Sequence, residues 1–182
     1  MTVLVAYGSR YGATRAIAER LGETLRAAGL DADVREATAR LDARPYDAFV
    51  VGSAAYRGSW LRGPVEFVRR HADLLAERPV WLFSSGPLGH ARRDDRGRDL
   101  LELTRPAEFV ELRDTLAPQD LRVFYGALEP GRLRPLDRLI RRLPSGRRWL
   151  PAGDFRDWEE IDAWARGIAD RLQGTADRSQ GA

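Results

Sequence analysis

Short apolar runs alternate along this chain with stretches whose apolar residues recur every three or four positions. Residues 3–7 (Val-Leu-Val-Ala-Tyr) form the first run and read as a strand. Residues 14–28 follow as a helix, with Ile17, Leu21, Leu25 and Ala28 on one face and Gly29 as its stop. Residues 32–37 read as a weaker second strand, and 48–53 as a third, continuously apolar as a strand buried on both faces should be. Pro64 opens a second helix with Val65, Phe67, Val68, Leu74 and Leu75 as its apolar positions. Residues 79–84 give a fourth strand, and 86–105, rich in glycine, arginine and aspartate, read as a long surface loop. A helix over 107–116 leads to a fifth strand over 121–128. Residues 157–172 close the domain as an amphipathic helix, opening on a capping-box-like Asp157-Trp158-Glu159-Glu160.

Strands that alternate with helices predict an α/β fold, a five-stranded parallel sheet covered by helices on both faces. Right-handed crossovers leave few arrangements at this size, and 2-1-3-4-5 is the common order. One domain over residues 1–172 accommodates all of it, with a basic insertion at 129–153 and a polar, disordered tail at 173–182.

Composition narrows the chemistry. The 182 residues contain no cysteine, which excludes disulfides, thiolate ligation of iron–sulfur clusters and a catalytic thiol. Two histidines, His71 and His90, stand far apart without a spaced ligand partner, so no metal site is expected. All thirty basic residues are arginine, and the formal net charge is +3, which favours anionic partners. No nucleic-acid motif accompanies that charge, and nucleic acid is not expected as a partner. No apolar run reaches the roughly 18 residues a bilayer span needs, and no basic segment precedes the run at 3–7, so a cytoplasmic location is expected.

In an open parallel sheet, ligands bind beyond the carboxyl ends of the strands where the strand order reverses. Three loops should meet there. The first, Ser9-Arg10-Tyr11-Gly12-Ala13-Thr14, leaves a strand and opens a helix, so its backbone N–H groups and the helix N-terminus can hold a terminal phosphate. The competing reading is an ordinary turn in which Ser9 or Thr14 caps the helix. The second, Ala54-Ala55-Tyr56-Arg57-Gly58-Ser59-Trp60, combines small residues with an aromatic and suits a flat ring, or else covers the core with Tyr56 and Trp60. The third, Ser84-Ser85-Gly86-Pro87-Leu88-Gly89, offers hydroxyl and N–H donors to a ring edge, or is a plain turn.

In this order and spacing the loops resemble the phosphate loop and the two ring-flanking loops of the flavodoxin family. The first matches the family's Thr/Ser-x-Thr-Gly-x-Thr at Ser9, Gly12 and Thr14 and departs from it at Tyr11. The resemblance implies FMN, held non-covalently by residues 9–14, 54–58 and 84–89. Gly126-Ala127-Leu128, then Arg134 and Asp137-Arg138-Leu139-Ile140, and later Asp157-Trp158-Glu159 with Ala165 and Ile168-Ala169, resemble the menaquinone-dependent protoporphyrinogen IX dehydrogenase family, a long-chain branch with an insertion after the fifth strand. That likeness covers about residues 2–172. It implies a flavin enzyme of haem synthesis with a porphyrinogen substrate and a quinone acceptor. An electron-transfer flavodoxin without a substrate, or an NAD(P)H:quinone reductase, are the alternatives.

Charge favours the enzyme. Arg10, Arg57, Arg62, Arg92 and Arg93 lie in or beside the three loops, and positive charge there stabilises a reduced, anionic flavin. In the insertion, Leu133, Leu136, Leu139 or Ile140, and Leu143 repeat at helical spacing among Arg132, Arg134, Arg138, Arg141, Arg142, Arg147 and Arg148. Such a segment either lies on an anionic membrane through residues 132–148 or packs its leucines on the domain and solvates its arginines. The arginines could also pair with the propionates of a porphyrinogen. His90 can relay a proton or stand exposed in its loop; His71 reads as a solvated helix residue. Asp154, Asp157, Glu159 and Glu160 look like paired carboxylates, but helix capping accounts for them. No catalytic side chain stands out.

Overall fold

The computed structural model describes residues 1–143 and 150–180, with side chains up to residue 175. The insertion residues Arg147 and Arg148 lie outside the described residues. Five parallel strands form the central sheet: β1 (Thr2–Gly8), β2 (Asp31–Glu36), β3 (Ala48–Tyr56), β5 (Val80–Ser85) and β6 (Asp120–Phe124), in the order β2-β1-β3-β5-β6. This is the expected 2-1-3-4-5 arrangement, with a short extra strand, β4 (Ser59–Trp60), paired antiparallel to the end of β3.

Why the inner strands read as unbroken apolar runs is visible in their burial. Along β1, Val3 and Val5 face one layer while Leu4 and Ala6 face the other, and all four are fully buried. The same alternation sends Trp81 and Phe83 of β5 to one side and Val80 and Leu82 to the other. The first layer is α1 (Ala13–Ala27) with the closing helix α7 (Trp158–Gln180), packed through Ile17, Leu21, Leu25, Ile161, Trp164, Ile168 and Leu172. The second layer comprises α2 (Arg62–Arg70), α3 (Ala72–Ala76) and α5 (Glu108–Leu116), packed through Phe67, Val68, Leu75, Phe109, Leu112 and Leu116.

Several local features differ from the sequence expectation. The loop after β3 is a hairpin: Arg57 (φ 52°) and Gly58 (φ 80°) are both left-handed, the geometry of a tight two-residue turn that returns the chain into β4. His71 is no solvated helix residue. It is the joint between α2 and α3, its ring 5.1 Å from that of Phe67 and its Nε2 3.0 Å from the Leu41 carbonyl. The loop at 86–105 ends in a one-turn helix, α4 (Leu100–Leu103), whose N–H groups at Leu101 and Glu102 donate to the Asp99 carboxylate.

The fifth strand does not run to residue 128. It stops at Phe124, because Gly126 donates to the Pro87 carbonyl at 2.9 Å rather than continuing the ladder. The chain then leaves the sheet as β7 (Ala127–Leu128) and returns, after the insertion, as its antiparallel partner β8 (Gly153–Asp154). Between them lie a 3-10 turn (Pro130–Arg132) and α6 (Pro135–Arg142). The closing helix starts as expected, with the Glu160 N–H donating to Asp157 Oδ1 at 3.0 Å, and continues to Gln180 rather than ending at Leu172.

Candidate functional site

The carboxyl ends of β1, β3 and β5 open onto one cleft of about 460 Å³, within the range of small-ligand sites. Ser9, Arg10, Tyr11, Ala13 and Thr14 line it from the first loop; Ala54, Ala55 and Tyr56 from the second; Ser85, Gly86 and Leu88 from the third. The three stretches predicted to converge do so. Not every residue in them faces the cleft. Arg57 and Gly58 form the hairpin turn beyond it, and Pro87 and Gly89 do not line it. Ser84 is fully buried inside the sheet, where its Oγ donates to the Ser53 carbonyl at 3.4 Å.

The first loop is built to hold its N–H groups outward. The Gly12 N–H donates to Ser9 Oγ at 3.1 Å, and Gly12 itself takes φ 91°, a conformation L side chains adopt only with strain. Helix α1 then starts on Gly12 with no side-chain cap and no acidic residue in its first turn. Ser9 therefore braces the turn instead of capping the helix. Thr14 does not cap it either. Its side chain is buried, and its Oγ1 lies 2.9 Å from Ser85 Oγ, a hydroxyl pair that pins the first loop to the third.

Two tyrosines and an arginine form the other wall. The Tyr11 and Tyr56 rings meet edge to face at 6.2 Å, and the Arg10 guanidinium sits 4.8 Å from the Tyr56 ring centre and 6.0 Å from that of Tyr11. Burial, and then the neighbouring Tyr11, push the Tyr56 phenol well above its ordinary value. Burial also raises Tyr11, as does its hydrogen bond to Asp137. Both phenols are protonated at neutral pH, and the Tyr11 hydroxyl donates to the Asp137 carboxylate of α6. The insertion is thus tied to the phosphate loop.

Four further residues line the cleft that the three loops did not include: Gly126, Ala127, Leu128 and Leu150. They come from the point where the fifth strand leaves the sheet and from the far end of the insertion. Gly126 was the available signal, since a glycine inside a strand pattern often marks a bulge or a close backbone approach.

The family model for the flavodoxin domain matches residues 4–145 of this chain. The chain belongs to the flavodoxin family. Solved flavodoxins share its fold: flavodoxin 2 from Bacillus cereus at 21% identity and TM-score 0.58, covering 94% of this chain and 99% of that one. A flavodoxin from the domain Archaea aligns at 17% identity and TM-score 0.56, covering 95% and 99%. The curated protoporphyrinogen IX dehydrogenase [quinone] of Escherichia coli K12 is 29% identical over 180 residues, covering 93% of this chain and 95% of that protein.

Membership in the flavodoxin family makes FMN the cofactor of this chain, and the cleft suits it. A flat ring needs a floor without bulky side chains, which Ala54, Ala55 and Gly86 provide; a Cβ on Gly86 would stand 3.4 Å from that of Ala55. A phosphate needs exposed N–H donors, which the uncapped first turn of α1 supplies. Among the described residues no group of histidines or carboxylates is arranged to hold a metal ion.

Proposed function

We propose that this flavodoxin-family protein is an FMN-dependent dehydrogenase that oxidises a porphyrinogen, protoporphyrinogen IX, and passes the electrons to a quinone. The carrying observation is the extent of the likeness to the curated dehydrogenase, which runs through 93% of this chain and so includes the insertion. When bound, FMN supplies a ring that accepts a hydride equivalent and can be reoxidised by a quinone. Residues 9–14 hold its phosphate, and Ala54, Ala55, Tyr56, Ser85, Gly86 and Leu88 flank its ring.

Charge supports a two-electron role. Of the five arginines placed near the flavin by the sequence, Arg10 lines the cleft, against Tyr56. Arg62 is paired with Glu66 at 2.6 Å, and Arg92 faces Asp157 at 3.8 Å. A guanidinium beside the ring favours its reduced anion. Next to the cleft, His90, Arg92, Tyr125, Phe155, Arg156 and Trp158 rim an open depression. Its aromatic faces and two guanidinium groups suit a flat tetrapyrrole with carboxylate tails. The His90 ring lies 4.9 Å from that of Phe155, edge to face.

The deciding experiment is anaerobic: the FMN-loaded protein with protoporphyrinogen IX and a menaquinone analogue, followed by porphyrin fluorescence. Quinone-dependent growth supports the dehydrogenase. No growth from fully loaded protein removes it and leaves an electron carrier.

The quinone is a lipid, and α6 suits its surroundings. Leu136, Leu139, Ile140 and Leu143 are 68%, 58%, 42% and 57% exposed, so the insertion does not pack these residues on the domain; only Leu133 is buried. Arg134, Arg138, Arg141 and Arg142 accompany them, the composition of a helix lying in an anionic lipid surface. No helix among the described residues is long and apolar enough to cross a membrane. We place the protein at the inner face of the cell membrane, in peripheral contact. It should float with phosphatidylglycerol vesicles at low salt, and the Leu136→Ser, Leu139→Ser, Ile140→Ser triple variant should bind at least about tenfold more weakly, three buried apolar side chains being worth more than 1.4 kcal/mol. Failure of the parent protein to float at low salt would remove the membrane contact.

A further inference from the structure

We infer that Arg132, carried by the insertion, is a ligand of the FMN phosphate, so that the insertion completes the cofactor site. This rests on FMN lying in the cleft with its phosphate at residues 9–14. The 3-10 turn Pro130–Arg132 brings the guanidinium over the start of α1, with Nη1 2.7 Å from where a Cβ on Gly12 would stand. The opposite edge of the same group is already committed, Nε donating to Glu129 Oε2 at 2.7 Å. The free edge therefore faces the phosphate loop.

A cation at that place is otherwise unfavourable. The N-terminus of a helix carries partial positive charge, and the first turn of α1 has no carboxylate to balance it. An arginine facing it is a like-charge pairing. A phosphate between the two makes both contacts favourable, taking N–H donors from the helix and a charge-assisted bond from the guanidinium.

The rest of the insertion is arranged to keep Arg132 there. Arg138 of α6 donates from Nη2 to the carbonyls of Gly131 and Leu133, at 3.0 and 3.3 Å, on either side of it. Asp137 of the same helix accepts from Tyr11 in the phosphate loop. Tyr11 has thereby spent its hydroxyl on the insertion, and the insertion returns a donor through Arg132.

Titration of the apo-protein with FMN and with riboflavin, which lacks the phosphate, separates this role from a structural one. Arg132→Gln should weaken FMN by about tenfold, the low end for a charge-assisted bond at a side chain 62% exposed. Riboflavin affinity should stay within about twofold, and the FMN loss should shrink at high salt. Arg142→Gln, which removes the same charge from the far end of α6, should leave the preference for FMN as it is. The inference is overturned if Arg132→Gln keeps the parent's preference for FMN over riboflavin, or weakens both flavins equally. A parent protein with no preference for FMN would overturn it too, and in that case the phosphate loop itself has been misplaced.

Discussion

Replacing Gly12 with aspartate should weaken FMN binding by at least about a hundredfold, or 2.7 kcal/mol, while the protein keeps its fold. The carboxylate would stand at the uncapped start of α1, where it accepts the first-turn N–H groups and faces Arg132. It would satisfy the groups that a phosphate needs and repel the phosphate by charge. Stability moves little, because two effects oppose. Aspartate at an N-cap stabilises a helix by about 0.5–2 kcal/mol, and a non-glycine residue in left-handed geometry costs about 1–2 kcal/mol. Gly12→Ala isolates the strain. Its Cβ meets only the far end of the Arg132 side chain, which can move, so FMN should fall by no more than about tenfold in affinity, the same strain of order 1–2 kcal/mol being what remains. Flavin fluorescence quenching and thermal melts of the two apo-proteins give the test. An aspartate variant that retains tight FMN would show that the phosphate lies elsewhere.

How legible this site was depends on what each signal encodes. A strand buried on both faces must be apolar throughout, so residues 3–7, 48–53 and 79–84 declared themselves, and with them the crossover order that makes three loops converge. Which residues within a loop face the cleft is a finer matter. Ser84 and Ser85 are adjacent and alike, yet strand pleating buries the first in the sheet and gives the second to Thr14 at the cleft. The hairpin at Arg57–Gly58 was hidden because arginine gives no sign of a positive φ. The break after Phe124 was hidden because apolar residues continue through it, although only backbone bonding has changed. In α6 the periodicity showed an apolar face and could not say what it faces; four of its five leucine-type positions turned out to be exposed. Arg132 had no sequence signal at all, since its partner Gly12 lies 120 residues earlier and only the return of the insertion brings them together.

The cleft's geometry depends on a contact beneath it, and one pair of substitutions should expose that dependence through a change of sign. Phe83, on β5, is fully buried and lies 6.2 Å from both Phe124 and Trp164, ring centre to ring centre. Across the sheet it is paired in register with Gly52 of β3, and a Cβ added at Gly52 would stand 2.1 Å from the Phe83 ring. Phe83 fills the space that the glycine leaves. Phe83→Ala should therefore destabilise by about 3–5 kcal/mol, toward the upper end, since no side chain at position 52 can collapse into the hole. Gly52→Ala in the parent should destabilise by about 1–3 kcal/mol, because the ring must be displaced within a packed core. In the Phe83→Ala background the same Gly52→Ala change should instead stabilise, by about 0.5–1 kcal/mol, as its methyl enters the vacated volume and glycine's backbone entropy cost is relieved. Urea unfolding of the four proteins measures all three differences, and two additive losses would refute the pairing. The strands concerned end in the loops that flank the flavin ring, so Gly52→Ala in the parent should also weaken FMN, and Phe83→Ala should not rescue that binding, since it removes the packing that fixes β5 beneath Ser85 and Gly86.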